Sequence, residues 1–197
     1  MRNRALAAPR ILRGRPARAA IRRTPIIPIL HQRDPLGYFN SLLLLDDGAT
    51  LYDSRVIVEY LDALAPQPRL IPEQVRQRAD VRTLEALADG IMDAAVTARL
   101  ELVWPGRAAG ERSAAWVQRQ SAKIDAAVQA LGERLGEREY LFGDGLSLAD
   151  IAAVVALDYL SFRLPENPWR DRQPGLARLC DRLDSREPFH ETLAPGT

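Results

Sequence analysis

The 197-residue sequence predicts a small α+β part followed by an all-helical domain. Three observations carry that prediction. Residues 41–61 read as strand, turn, strand and helix in immediate succession. "APQPRLIP", Ala65 to Pro72, is a proline-rich linker. Beyond Pro72 the apolar residues recur every three or four positions, with no stretch of strand-like alternation.

Residues 1–33 stand apart from both. They hold nine Arg and no Asp or Glu, and the rest of the chain carries 18 basic against 26 acidic residues. Lys123 is the single lysine. Pro9, Pro16, Pro25 and Pro28 interrupt any helix longer than about two turns. Three readings of this segment stay open. It is a basic arm for nucleic acid or an anionic surface, a transit peptide, or sequence never selected for this fold, as a shifted reading frame of GC-rich DNA would supply.

From Asp34 the signals become orderly. "SLLLL", Ser41 to Leu45, reads as a buried strand, and "DDG", Asp46 to Gly48, as a hairpin turn. "ATLY" is the returning strand. Val56, Ile57, Tyr60 and Leu61 then recur at helical spacing, with Arg55 and Glu59 on other faces. In the helical part, Leu84, Leu87, Ala88, Ile91, Ala95, Ala98 and Leu102 form one stripe, ended by Trp104-Pro105-Gly106. Val117, Ile124, Val128, Leu131 and Leu135 form a second, closed by Gly136. Leu146 to Leu164 is apolar nearly all round and is predicted to be the central buried helix. Leu176, Leu179, Cys180 and Leu183 mark a shorter amphipathic helix.

Composition narrows the function classes. With 47% hydrophobic and 27% charged residues and a net charge of +1, the chain fits a soluble globular protein. It has no global drive toward nucleic acid or membrane. No apolar run approaches the roughly 20 residues of a membrane span. A single cysteine excludes an internal disulfide framework and a Cys-rich metal site, and a reducing compartment fits it. His31 and His190 have no partner at metal-ligand or triad spacing, so no metal site is assigned. Cys180, Tyr159, Phe162 and Met92 read as core.

Two polar pairs remain. Ser147 and Asp150 form an S-x-x-D capping box, with Leu146 and Ile151 placed as a hydrophobic staple. This is a folding device, and Ser147→Ala is expected to cost about 1 kcal/mol. Asp53–Ser54, where strand hands over to helix, has two readings. Either residue can be an N-cap. Alternatively, the free amides of the first helical turn and the Ser54 hydroxyl hold a carboxylate while Asp53 accepts from an ammonium. That clamp suits an amino-acid head group carrying both charges.

"DPLGYFNSLLLLDDGATLYDSRVIVEYLDAL", Asp34 to Leu64, followed by the linker and the S-x-x-D cap, resembles the glutathione S-transferase superfamily. "EALADGIMDAAV", Glu85 to Val96, and "SREPFHET", from Ser185, are similar to a group of small bacterial members. The resemblance spans about residues 34–193. It implies a thioredoxin-like N-terminal domain, its ββα half recognisable and its βαβ half atypical, then an all-α C-terminal domain. The boundaries implied are an atypical basic segment at 1–33, the remainder of the glutathione-binding domain at 34–66, and the helical domain at 73–193.

The same resemblance implies glutathione as co-substrate, a small electrophile as second substrate, a cytoplasmic location and a homodimer through the long helix at 73–103 and the ββα edge. It places Asp53 and Ser54 at the γ-glutamyl end of glutathione. Phe39 falls where the family's backbone pairs with the cysteinyl segment, and Asn40 where the family carries a cis-proline. A non-proline cis bond costs about 2.5–4 kcal/mol, so the Phe39–Asn40 bond is expected to be trans. Residues 1–33 contain no Tyr, Ser or Cys, so no thiolate-activating residue is assigned. A non-catalytic module of this fold, or an inactive product with an altered N-terminus, is the alternative function.

Overall fold

The computed structural model describes residues 42–45, 48–65 and 68–190. The basic segment 1–33, His31, Phe39, Asn40 and the turn residues Asp46 and Asp47 lie outside the described residues. The chain divides into two compact units, the first ending at Arg69 and the second beginning at Leu70.

In the first unit, β1 (Leu42–Leu44) pairs antiparallel with β2 (Thr50–Tyr52). Leu43 lies opposite Leu51. The Leu45 N–H donates to the Ala49 carbonyl at 2.9 Å and the Gly48 N–H to the Leu45 carbonyl at 2.9 Å. Gly48 takes φ 85°, which a residue without Cβ adopts freely, so the predicted hairpin forms where the glycine allows it. Helix α1 (Ser54–Leu64) follows β2 directly. Its apolar stripe is only partly covered: Ile57 and Leu61 are half-buried, while Val56 and Tyr60 are exposed. Its one buried residue is Asp62, whose carbonyl accepts from Arg69 Nη1 at 2.8 Å.

The regular elements among the second unit's described residues are all helices. It runs α2 (Val75–Val103), a 3-10 turn (Ala109–Glu111), α3 (Ala114–Leu135), α4 (Leu148–Arg163), α5 (Trp169–Arg172), α6 (Pro174–Asp184) and α7 (Glu187–His190). Helix α2 packs on both α3 and α4. The contact face of α2 is made small by Ala88, Ala94, Ala95 and Ala98, all buried, which lets the partner helices approach closely. Ile124, Val128, Leu131 and Leu135 of α3 fill the other side. Gly136 ends α3 at φ 54°, in the left-handed region that favours glycine.

Helix α4 is the central helix that the sequence predicts, with Ala153, Val154, Ala156, Leu157 and Leu160 fully enclosed. Its all-round apolar character misleads in one respect. Phe162 is 44% exposed and Tyr159 half-buried, so neither is core, and the Arg163 guanidinium lies over both rings at 5.2 and 5.0 Å. Met92 is likewise half-buried, and Leu102, at the end of its stripe, is exposed. Short α5 was not legible in the sequence. It is held by Trp169, buried, whose indole N–H donates to Ser161 Oγ of α4 at 2.9 Å.

Candidate functional site

The hairpin and α1 set the candidate site. Asp53 follows the last residue of β2 and is the N-cap of α1, which settles which member of the pair caps the helix. Its Oδ1 accepts from the Arg55 N–H at 2.9 Å. Its backbone stands at φ 70°, ψ 123°, and it alone among the described non-glycine residues has positive φ. Such a conformation costs on the order of 1–3 kcal/mol and persists only where the surroundings impose it. Here the direct junction of strand and helix imposes it, and the effect is to turn the carboxylate back over the helix start.

The sequence reading did not foresee the role of Arg55. Its Nε donates to Asp53 Oδ1 at 3.2 Å and its Nη2 to Oδ2 at 3.0 Å, so the guanidinium grips both oxygens. That hydrogen bond is the main reason the Asp53 carboxyl titrates below its usual range. Asp53 is therefore ionised at neutral pH and already holds one cation. Both partners are well exposed, so the pair contributes little to stability and its geometry can yield to a ligand. Ser54, the first residue of α1, is exposed, and its hydroxyl makes no hydrogen bond among the described residues. The structure thus brings together a carboxylate, a free hydroxyl and the amide end of an 11-residue helix. An arrangement of that kind can hold a group bearing both charges.

The other sequence candidates sit elsewhere. His190 is exposed in α7. Cys180 is buried, and burial together with the Asp158 and Asp184 carboxylates pushes its thiol well above the ordinary value, so it supplies no thiolate. No group of three or more metal-ligating side chains occurs among the described residues.

The groups around Cys180 form a proton-sensitive contact between α4 and α6. Burial, then the charge of Asp184, raises the Asp158 pKa to about 6, and Asp184 is raised by burial too. Arg170 of α5 opposes both shifts while bonding Asp181. An acid whose folded-state pKa exceeds its unfolded value binds its proton more tightly when folded. Its stabilising contribution is therefore whole below pH 3.8 and is lost as pH rises through about 6. Asp158→Asn is expected to raise the melting temperature at pH 8 by about 2–4 °C, a gain of about 1 kcal/mol after solvent screening, and by about half as much at pH 5, midway through that window. Thermal denaturation at the two pH values checks this.

The comparisons follow the geometry closely. The family model "Glutathione S-transferase, C-terminal domain" matches residues 114–182, from α3 to α6. The uncharacterised GST-like protein YibF of Escherichia coli is 35% identical over 164 residues, which are 83% of this chain and 79% of that protein. A glutathione S-transferase from Methylobacterium radiotolerans, solved with glutathione sulfonate, superposes with a TM-score of 0.78 at 36% identity, covering 90% of this chain and 80% of its own. Another from Methylobacillus flagellatus, solved with GSH bound, gives a TM-score of 0.77 at 38% identity, with 83% and 79% covered. The strand–strand–helix start, the helical C-terminal part and these matches together make the chain a member of the glutathione S-transferase superfamily.

Proposed function

We propose that this protein is a glutathione transferase that binds glutathione through the start of α1 and joins its sulfur to small electrophiles. The observation that carries the reading is the junction at Asp53–Ser54. The γ-glutamyl end of glutathione has an α-carboxylate and an α-ammonium. The Ser54 hydroxyl and N–H suit the carboxylate, and the ionised Asp53, which already accepts from the Arg55 N–H, suits the ammonium. Bound there, the ammonium competes with the Arg55 guanidinium for the Asp53 oxygens.

Phe39 and Asn40 are proposed to face the cysteinyl part through their backbone, in the position the family uses. In the transfer step the glutathione thiol loses its proton and the sulfur attacks the electrophilic carbon. A carbon–sulfur bond forms and the leaving group departs with the electron pair of the broken bond. The thioredoxin-like part at 34–66 is proposed to hold glutathione and the helical part at 73–193 the electrophile. A homodimer through the long helix and a cytoplasmic location complete the proposal.

A non-catalytic binding module is a second reading, favoured by the lack of any Tyr, Ser or Cys in residues 1–33. One experiment separates the two. The transferase reading expects retention on immobilised glutathione and spectrophotometric conjugation of an activated aryl halide. Failure of both selects the interaction module and overturns glutathione binding, and retention without conjugation leaves binding without the transfer step.

A further inference from the structure

A cleft of about 150 Å³ lies in the helical unit between the end of α3 and the first turns of α6. Leu135 and Leu179, both buried, form its floor, and Arg138, Arg178 and Arg182 stand in its wall. Gly175, Arg178 and Arg182 follow one another by three and four residues along α6, so they share one face. Gly175 lies close to both: a Cβ there would be in ordinary van der Waals contact with the Leu135 side chain at 3.7 Å and Arg178 Nη2 at 3.8 Å.

The guanidiniums are placed but not neutralised. Arg138 Nε donates to the Leu135 carbonyl at 3.3 Å. Arg182 Nη2 donates to the Glu139 carbonyl, and its guanidinium lies over the Tyr140 ring at 5.2 Å. Arg178 makes no hydrogen bond or ion pair among the described residues. Glu137 and Glu139 also line the cleft, but neither is within ion-pair distance of these arginines among the described residues. Carbonyl partners orient a cation and leave its charge intact. Like charges gathered on one wall repel, and the positive end of α6 adds to them. An anion relieves all of these terms at once. Guanidinium forks pair two oxygens at a time, which matches a tetrahedral oxyanion better than a halide.

We propose that this cleft is an anion site for a phosphate group, either the free ion or the phosphate of a small phosphomonoester.

Titration calorimetry on the full chain at fixed ionic strength tests the site, with inorganic phosphate and glycerol phosphate as probes. Both are expected to bind saturably. Arg178→Ala, which removes no structural contact, is expected to weaken binding about tenfold, the worth of one charge-assisted contact. Arg119→Ala, the same charge change on α3 outside the cleft, is expected to change it less than twofold. Tighter binding of the ester identifies a phosphorylated small molecule as the ligand class, and tighter binding of inorganic phosphate identifies the free ion. Absence of saturable binding, or equal loss in the Arg178 and Arg119 variants, overturns the proposal.

Discussion

Asp150→Ala is expected to lower the stability of the helical unit by about 3–5 kcal/mol, as read from the midpoint of urea denaturation. Asp150 is fully buried and its carboxylate accepts from three donors. The Ser147 N–H reaches Oδ2 at 2.9 Å, the Ser147 hydroxyl reaches the same oxygen at 2.7 Å, and the Leu141 N–H reaches Oδ1 at 2.7 Å. The capping box expected from the sequence is therefore present, with a further bond from the loop before it. Truncation leaves these buried donors without an acceptor, and each unsatisfied group costs about 1–3 kcal/mol. Ser147→Ala removes one donor and keeps the acceptor, so it is expected to cost only about 1 kcal/mol. Similar losses from the two variants would show that the backbone bonds from Leu141 and Ser147 contribute nothing.

The second large effect concerns binding. Asp53→Asn combined with Ser54→Ala is expected to weaken glutathione retention by at least about tenfold while moving the melting temperature by only a few degrees. Asparagine is chosen over alanine for a physical reason. It still caps α1 and tolerates the positive φ of this position, but it carries no charge to pair with an ammonium. A fall in affinity without a fall in stability separates the charge and the hydroxyl, as binding groups, from any role in the fold. Affinity equal to that of the parent protein would remove the γ-glutamyl group from this site. Arg55→Ala is the informative companion, because it frees Asp53 and is expected to strengthen binding.

Much of this architecture is legible in the sequence because it is local. The α3 stripe Ile124, Val128, Leu131 and Leu135 is buried as its spacing requires. So is the α6 set Leu176, Leu179, Cys180 and Leu183. Asp53–Ser54 is legible as a helix start because an acid and a hydroxyl follow a strand directly. What escapes is what lacks periodicity. Helix α5, Trp169 to Arg172, is too short to show a repeat. Helix α4 is so uniformly apolar that its pattern has no phase, which is why Phe162 was expected inside and lies outside. The third donor to Asp150 comes from Leu141, nine positions upstream in an irregular loop, and no spacing rule connects them. The grip of Arg55 on Asp53 is a matter of side-chain rotamer.

One backbone bond bears on the order in which the protein is made. The Leu148 N–H, at the first turn of α4, donates to the Leu70 carbonyl at 3.0 Å, and Ile71 beside it is buried. The Leu148 N–H is synthesised roughly 80 residues after the Leu70 carbonyl it bonds, a delay of about 4–16 s at the usual pace of a ribosome. Until then the segment leading into α2 lacks this bond. The capped start of α4 does more than begin a helix: it closes a long chain loop back to the start of this unit, and nascent chains stopped before Asp150 should be the ones that proteases cut at the linker.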